Sequence, residues 1–132
     1  MSNYGANQYR NMAVKTATPG QILIMLYEAA IQNVKKASDA IDKKDLATKG
    51  KFIGKAHDII NELAATLNFE VGGEVAVELE RLYNFMGTQL VKANMENNKE
   101  PLASVQKCLE TLLEGWKVAV AQVQKASTGG KP

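Results

Sequence analysis

Few residues in this chain could carry bond chemistry: it holds one histidine, His57, and one cysteine, Cys108. A di-metal site inside a helical protein asks for several inward carboxylates and Glu-x-x-His pairs on facing helices. One histidine cannot supply two such pairs. His57 stands beside Asp58 on the flank of an apolar stripe, where a histidine is a boundary residue rather than a ligand or general base. Cys108, near Leu109 and Leu112, reads as a small buried hydrophobe. A single cysteine also excludes an internal disulfide and fits a reducing compartment. Gly72-Gly73 has neither a following Lys-Ser/Thr nor a preceding strand, so it is no phosphate cradle. The sequence thus predicts no catalytic residue, no metal ligand and no cofactor. The protein is expected to act by binding rather than as an enzyme.

Composition narrows the partners. In 132 residues, 45% are hydrophobic and 23% charged, which is ordinary for one folded domain and far from the signature of disorder. The formal charge is only +2, and Arg10 and Arg81 are the sole arginines, whereas nucleic-acid binders concentrate positive charge on one face. Lysines do thicken at Lys43, Lys44, Lys49, Lys51 and Lys55, with one aromatic among them, Phe52, that reads as core. A basic nucleic-acid-binding bundle is therefore the weakest of the alternatives, behind a generic helical adaptor or assembly protein. No charged-then-apolar leader opens the chain, and no apolar run approaches the roughly eighteen residues that span a bilayer. A cytosolic protein with no membrane insertion is expected.

The elements follow from local signals. Residues 1–17 are polar, with Tyr9, Met12 and Val14 at no helical period, and read as an arm. Thr18-Pro19-Gly20-Gln21 is a full helix start, with a threonine cap, proline at the first position and a glutamine to return the cap bond. The first stripe runs Leu23, Leu26, Ala30, Val34, Ala37 and Ile41. A second helix is predicted from Leu46 to about Asn68 on Phe52, Ala56, Ile59, Ile60, Leu63 and Leu67. Val71-Gly72-Gly73 predicts a turn. A third helix then runs from Glu74 to Glu96 on Val75, Leu79, Leu82, Met86, Leu90 and Ala93. The fourth starts at Pro101 and carries Leu102, Val105, Leu109, Leu112, Trp116, Val120 and Val123. Residues 18–126 thus form an all-α, antiparallel up-and-down four-helix bundle on which the arm packs, and 127–132 are a disordered tail.

One stretch does not fit a one-sided helix. Ile22, Leu23, Ile24, Met25, Leu26 and Tyr27 are six consecutive apolar residues. At 100° per residue they point all round the helix, so roughly half must be covered by something outside the bundle core. The arm residues Tyr9, Met12 and Val14 could supply that cover, and so could a partner. Val77, Val91 and Met95 form a second patch opposite the third helix's own stripe, of the kind that receives amphipathic helices. Ile22, Ile24, Met25 and Tyr27, with Val77, Tyr83 and Val91, are the candidate contact residues.

The pattern of residues is also familiar. Tyr9-x4-Val14-x-Thr16-Ala17-Thr18-Pro19 leads into Leu23-Ile24-x-Leu26-Tyr27, followed by Lys55-Ala56, Ile59-Ile60-x-Glu62-Leu63, Leu67-Asn68 and Gly72-Gly73-Glu74-Val75-Ala76. Leu82-Tyr83-x-Phe85-Met86, Leu90-Val91-x-Ala93-Asn94 and Trp116 complete it. This resembles the FliS family of flagellin export chaperones from Tyr9 to about Ala121. Ala29 stands where the family usually has glycine, adding a methyl where helices approach, and Gly115 lies between Glu114 and Trp116. The resemblance implies a cytosolic chaperone that binds the disordered C-terminal segment of flagellin, prevents premature polymerisation and delivers it to the flagellar type III export apparatus. An export-gate membrane protein is its implied second partner. The arm would be a lid over an apolar cleft, on a monomer that arm exchange could convert to a dimer.

Overall fold

Thr18 opens the first helix as expected: its Oγ1 accepts from the Gln21 amide at 3.1 Å, and Gln21 Oε1 accepts from the Thr18 amide at 2.9 Å. The structure, a computed structural model, describes residues 17–129, with side chains through 126. Helix α1 spans Pro19–Asp42, α2 Leu46–Ala65, α3 Phe69–Glu96 and α4 Lys99–Gly129. The arm, with Tyr9, Met12 and Val14, and residues 130–132 lie outside the described residues.

Short polar caps make the connections. Asp45 accepts from the Thr48 amide at 3.2 Å and from the Thr48 hydroxyl at 2.6 Å. These bonds hold the Asp45 carboxyl below its ordinary range. The third helix begins earlier than the sequence predicts. Asn68 Oδ1 accepts from the amides of Glu70 and Val71, so a helical turn forms ahead of the glycines. Gly73 alone takes the break, at φ +50° and ψ −124°, a conformation that side-chain-bearing residues avoid. Asn97 ends α3 in the left-handed region at φ +50°. Asn98 Oδ1 then caps the Glu100 amide at 3.0 Å, which moves the start of α4 back to Lys99. Pro101 falls in the first turn, where a missing N–H leaves no bond unmade.

The four helices form a ring in which α1 packs on α2 and α4, and α3 on α2 and α4. Neighbours run antiparallel. At one end Lys99 Nζ, opening α4, pairs with Asp42, closing α1, at 2.9 Å. Beside it Lys49 reaches from α2 to the end of α3, donating to the Asn94 carbonyl at 2.9 Å and to Asn97 Oδ1. At the other end α1 and α4 approach closely, and a Cβ on Gly20 would come within 2.9 Å of both Val120 methyl carbons.

The core corrects the phase of several predicted stripes. In α1 the buried residues are Tyr27, Ala30, Ile31, Val34, Ala37 and Ala40, while Leu23, Leu26 and Ile41 only flank the core. In α3, Ala76 and Tyr83 replace Val75 and Leu82, and Val75 is 63% exposed. In α4, Leu113 replaces Leu112, and Val123 is exposed. Lys49, one of the lysines that thicken between residues 43 and 55, is buried. The period is 3.6 in every case. Two bundle neighbours decide which of several adequate stripes goes inward, and that choice is a tertiary one.

Candidate functional site

Two tyrosines meet across the bundle's diagonal. Tyr27 of α1 is 0% exposed and Tyr83 of α3 is 3% exposed, and their hydroxyl oxygens stand 2.5 Å apart, sharing one hydrogen. Burial, before any other cause, pushes both phenols above their ordinary range, and for Tyr83 the bond to Tyr27 adds to it. Trp116 of α4 brings its indole N–H close enough to favour the ionised form of Tyr27. Its Nε1 is nonetheless buried without a hydrogen-bond partner. The Cys108 thiol, raised by burial, lies within electrostatic reach of both phenols.

Above this polar centre is an apolar cleft of about 270 Å³, where the α2–α3 connection meets the start of α1 and the later part of α4. Leu23, Leu67, Val71, Val75 and Leu79 wall it, and Tyr83 and Trp116 reach it as well. The early turn of α3 builds one side, because the Asn68 cap and the Gly73 break hold Val71 and Gly72 at the rim. Val71 is 85% exposed there.

The predicted contact residues separate into three groups. Val77 and Val91 are exposed on the outward face of α3, at 45% and 50%. Met95 joins them at 78%; the three are spaced by fourteen and four residues, which puts them on one helical face. Ile22, Ile24 and Met25 are half-buried at the start of α1, and Ile24 packs against the core. Tyr27 and Tyr83 are buried, since each spends its ring on the core and its hydroxyl on the other. Sequence reasoning did not single out Val71, Val75 or Phe85 as surface residues. For Val71 the signal was present, as a large apolar residue directly before two glycines.

Other chemistry finds little footing among the described residues. No three His, Cys, Asp or Glu side chains gather there as a metal site. His57 Nδ1 stands 3.1 Å from Asn61 Nδ2 and its Nε2 faces Gly87. No helix is long and apolar enough to cross a membrane. Phe52, read as core, is half-buried, and the ammonium groups of Lys36, Lys51 and Lys55 lie 5.2 to 5.4 Å from its ring centroid.

Comparison with known proteins gives this surface a context. Residues 1–123 match the family described as flagellar protein FliS. The flagellar secretion chaperone FliS of Bacillus subtilis is 33% identical over 121 residues, covering 92% of this chain and 90% of the relative. That of Salmonella typhimurium is 36% identical over 106 residues, 80% of this chain and 78% of its own. A solved structure described as a flagellar chaperone from bacteria shares the fold, with a TM-score of 0.74 at 19% identity over 89% of this chain and 96% of that one. The bundle, its cleft and its exposed third helix are thus those of a chain that belongs to the FliS family of flagellar secretion chaperones.

Proposed function

We propose that this protein binds the disordered C-terminal segment of flagellin in the bacterial cytosol. It keeps subunits from polymerising prematurely and delivers them to the export-gate membrane protein of the flagellar type III apparatus. One observation carries the reading. Of ten large apolar side chains exposed among the described residues, seven belong to α3: Phe69, Val71, Val75, Val77, Phe85, Val91 and Met95. A helix whose inward face is already fully packed has no internal use for so many. A segment that is disordered when free can fold as amphipathic helices along such a surface, burying its apolar side against a rigid platform. Ordering it costs about 2–5 kcal/mol, so affinity must come from a long wrapped interface, and release stays possible. The half-buried Ile22, Ile24 and Met25 and the cleft extend that interface onto α1. Residues 1–17, carrying Tyr9, Met12 and Val14, act as a lid that competes with the client for the cleft.

Calorimetric titration with a peptide from the C-terminal segment of the host's flagellin tests this, with circular dichroism of the mixture. Near one-to-one binding, a negative heat-capacity change and gained helicity are expected. Deleting residues 1–17 should change the affinity. No binding at tens of micromolar peptide would overturn the reading, and binding to nucleic acid with steep salt dependence would replace it.

A further inference from the structure

Three ammonium groups converge on one aromatic ring where α1 packs on α2. Lys36 Nζ of α1 lies 5.2 Å from the Phe52 ring centroid, and the Nζ atoms of Lys51 and Lys55 on α2 lie 5.4 Å from it. No two of the three can therefore stand further apart than about twice that distance. Salt at physiological strength screens charge over roughly 8 Å, so each ammonium group feels the other two. The negative face of the ring attracts all three and holds the cluster together. None of them forms an ion pair among the described residues, although Asp39 and Asp58 follow Lys36 and Lys55 by three positions. Lys36 and Lys51 are exposed, while Lys55 and Phe52 are half-buried. Phe52 itself packs against the core, which fixes the point on which the cations gather. A triple positive charge is thus concentrated at one place on a chain whose formal net charge is only +2.

We propose that this α1–α2 patch is a docking surface for a second protein partner, one that presents an acidic helix face with carboxylates three or four residues apart. Side chains at that spacing stand about 5–6 Å apart at their Cβ atoms, a separation that suits a cluster gathered on one ring. A single exposed ion pair contributes little. Three cations within about one screening length act together on a partner of opposite charge, speeding its encounter and setting its orientation. Nucleic acid is the poorer fit, because it asks for a track of phosphate contacts, whereas this patch is compact and contains no arginine. In the ring of helices α1 lies diagonally across from α3. The patch and the exposed apolar face of α3 therefore point in different directions, and both can be occupied at once. The inference stands apart from the reading of the client face.

The test uses the full chain and an alanine-based helical peptide, blocked at both ends, with three glutamates spaced four residues apart. Amide chemical shifts followed during the titration should move chiefly around Phe52 and saturate. In the triple variant Lys36→Gln/Lys51→Gln/Lys55→Gln the affinity should fall about tenfold, and Lys36→Gln or Lys51→Gln alone should lose part of that. A charge-matched control, Lys92→Gln/Lys107→Gln/Lys117→Gln, removes three exposed lysines of α3 and α4 and should change the affinity by less than about twofold. Circular dichroism should show the same helicity in every variant. Equal losses in the two triple variants, or no saturable binding by about 1 mM peptide at low salt, would refute the inference. So would tighter binding at the patch of a single-stranded oligonucleotide or of anionic phospholipid vesicles than of the peptide. The flagellin C-terminal peptide should bind the patch variant as it binds the parent; a loss there would mean that the client itself covers the patch, and no second partner docks on it.

Discussion

Replacing Lys49 by methionine tests the least expected contact in the bundle. Lys49 is 6% exposed, and its Nζ donates to the Asn94 carbonyl at 2.9 Å and to Asn97 Oδ1, joining the start of α2 to the end of α3. Methionine keeps the length and apolar stem but removes both donors. Hydrogen bonds from a charged group are worth about 1.5–3 kcal/mol each, so the gross loss is about 3–6 kcal/mol. Two effects offset it. The variant no longer desolvates an ammonium group, a penalty of several kcal/mol. Asn94 and Asn97 are exposed, so water can take up their freed acceptors. The net expectation is a loss of about 1–3 kcal/mol. Urea unfolding followed by circular dichroism reads this as a midpoint lowered by roughly 0.5–1.5 M, given a slope of about 1–3 kcal/mol per M. Lys51→Met, on the exposed side of the same helix, should stay within about 0.5 kcal/mol. A Lys49→Met protein as stable as the parent, or more so, would refute the reasoning. It would show that desolvation outweighs the two bonds.

Three further outcomes are expected. Gly73→Ala should cost about 1–3 kcal/mol from backbone strain alone, because φ is +50° and no atom lies within 4 Å of the added methyl. The same change at Gly54, which is helical and equally open, should stabilise by about 0.5–1 kcal/mol; denaturation midpoints that moved alike would contradict both. Leu63→Ala, at 1% exposed, should cost about 2–5 kcal/mol by thermal or urea unfolding, and a loss under about 1 kcal/mol would mean that the core collapses around the gap. Tyr27 and Tyr83 are raised in the folded protein, so their stabilising contribution is complete below the unfolded tyrosine value and declines as pH rises past about 10. There the unfolded chain releases two phenolic protons that the native state retains, at about 1.4 kcal/mol per pH unit for each. The Tyr27→Phe/Tyr83→Phe double variant should lose stability less steeply between pH 10 and 11, and equal slopes would place both phenols in contact with water.

Much of the candidate site was legible, but in pieces. Val77 and Val91 were readable because a helix that shows apolar residues opposite its own stripe has no internal partner for them, and the structure leaves both exposed. Tyr27 and Tyr83 were not. Each reads locally as a polar-tipped aromatic near a surface, and only a partner 56 residues away gives each hydroxyl its bond. The cleft was hidden for a similar reason, since it needs Leu23, Val75 and Trp116 from three helices.

By itself the sequence determined what depends on near neighbours in the chain. These are the helical state of four segments, the Thr18 start, the stop at Asn97 and the break near Gly73, because caps, glycine freedom and a 3.6-residue period act over a turn or less. The family's ordered motifs were equally readable. Tertiary structure alone decided which of several apolar stripes turned inward, why Lys49 is buried, and how the hydroxyls of Tyr27 and Tyr83 came to meet beneath an open cleft. Those outcomes are set by the volume and hydrogen-bonding capacity of residues that meet only after the helices pack, and no local pattern encodes that meeting.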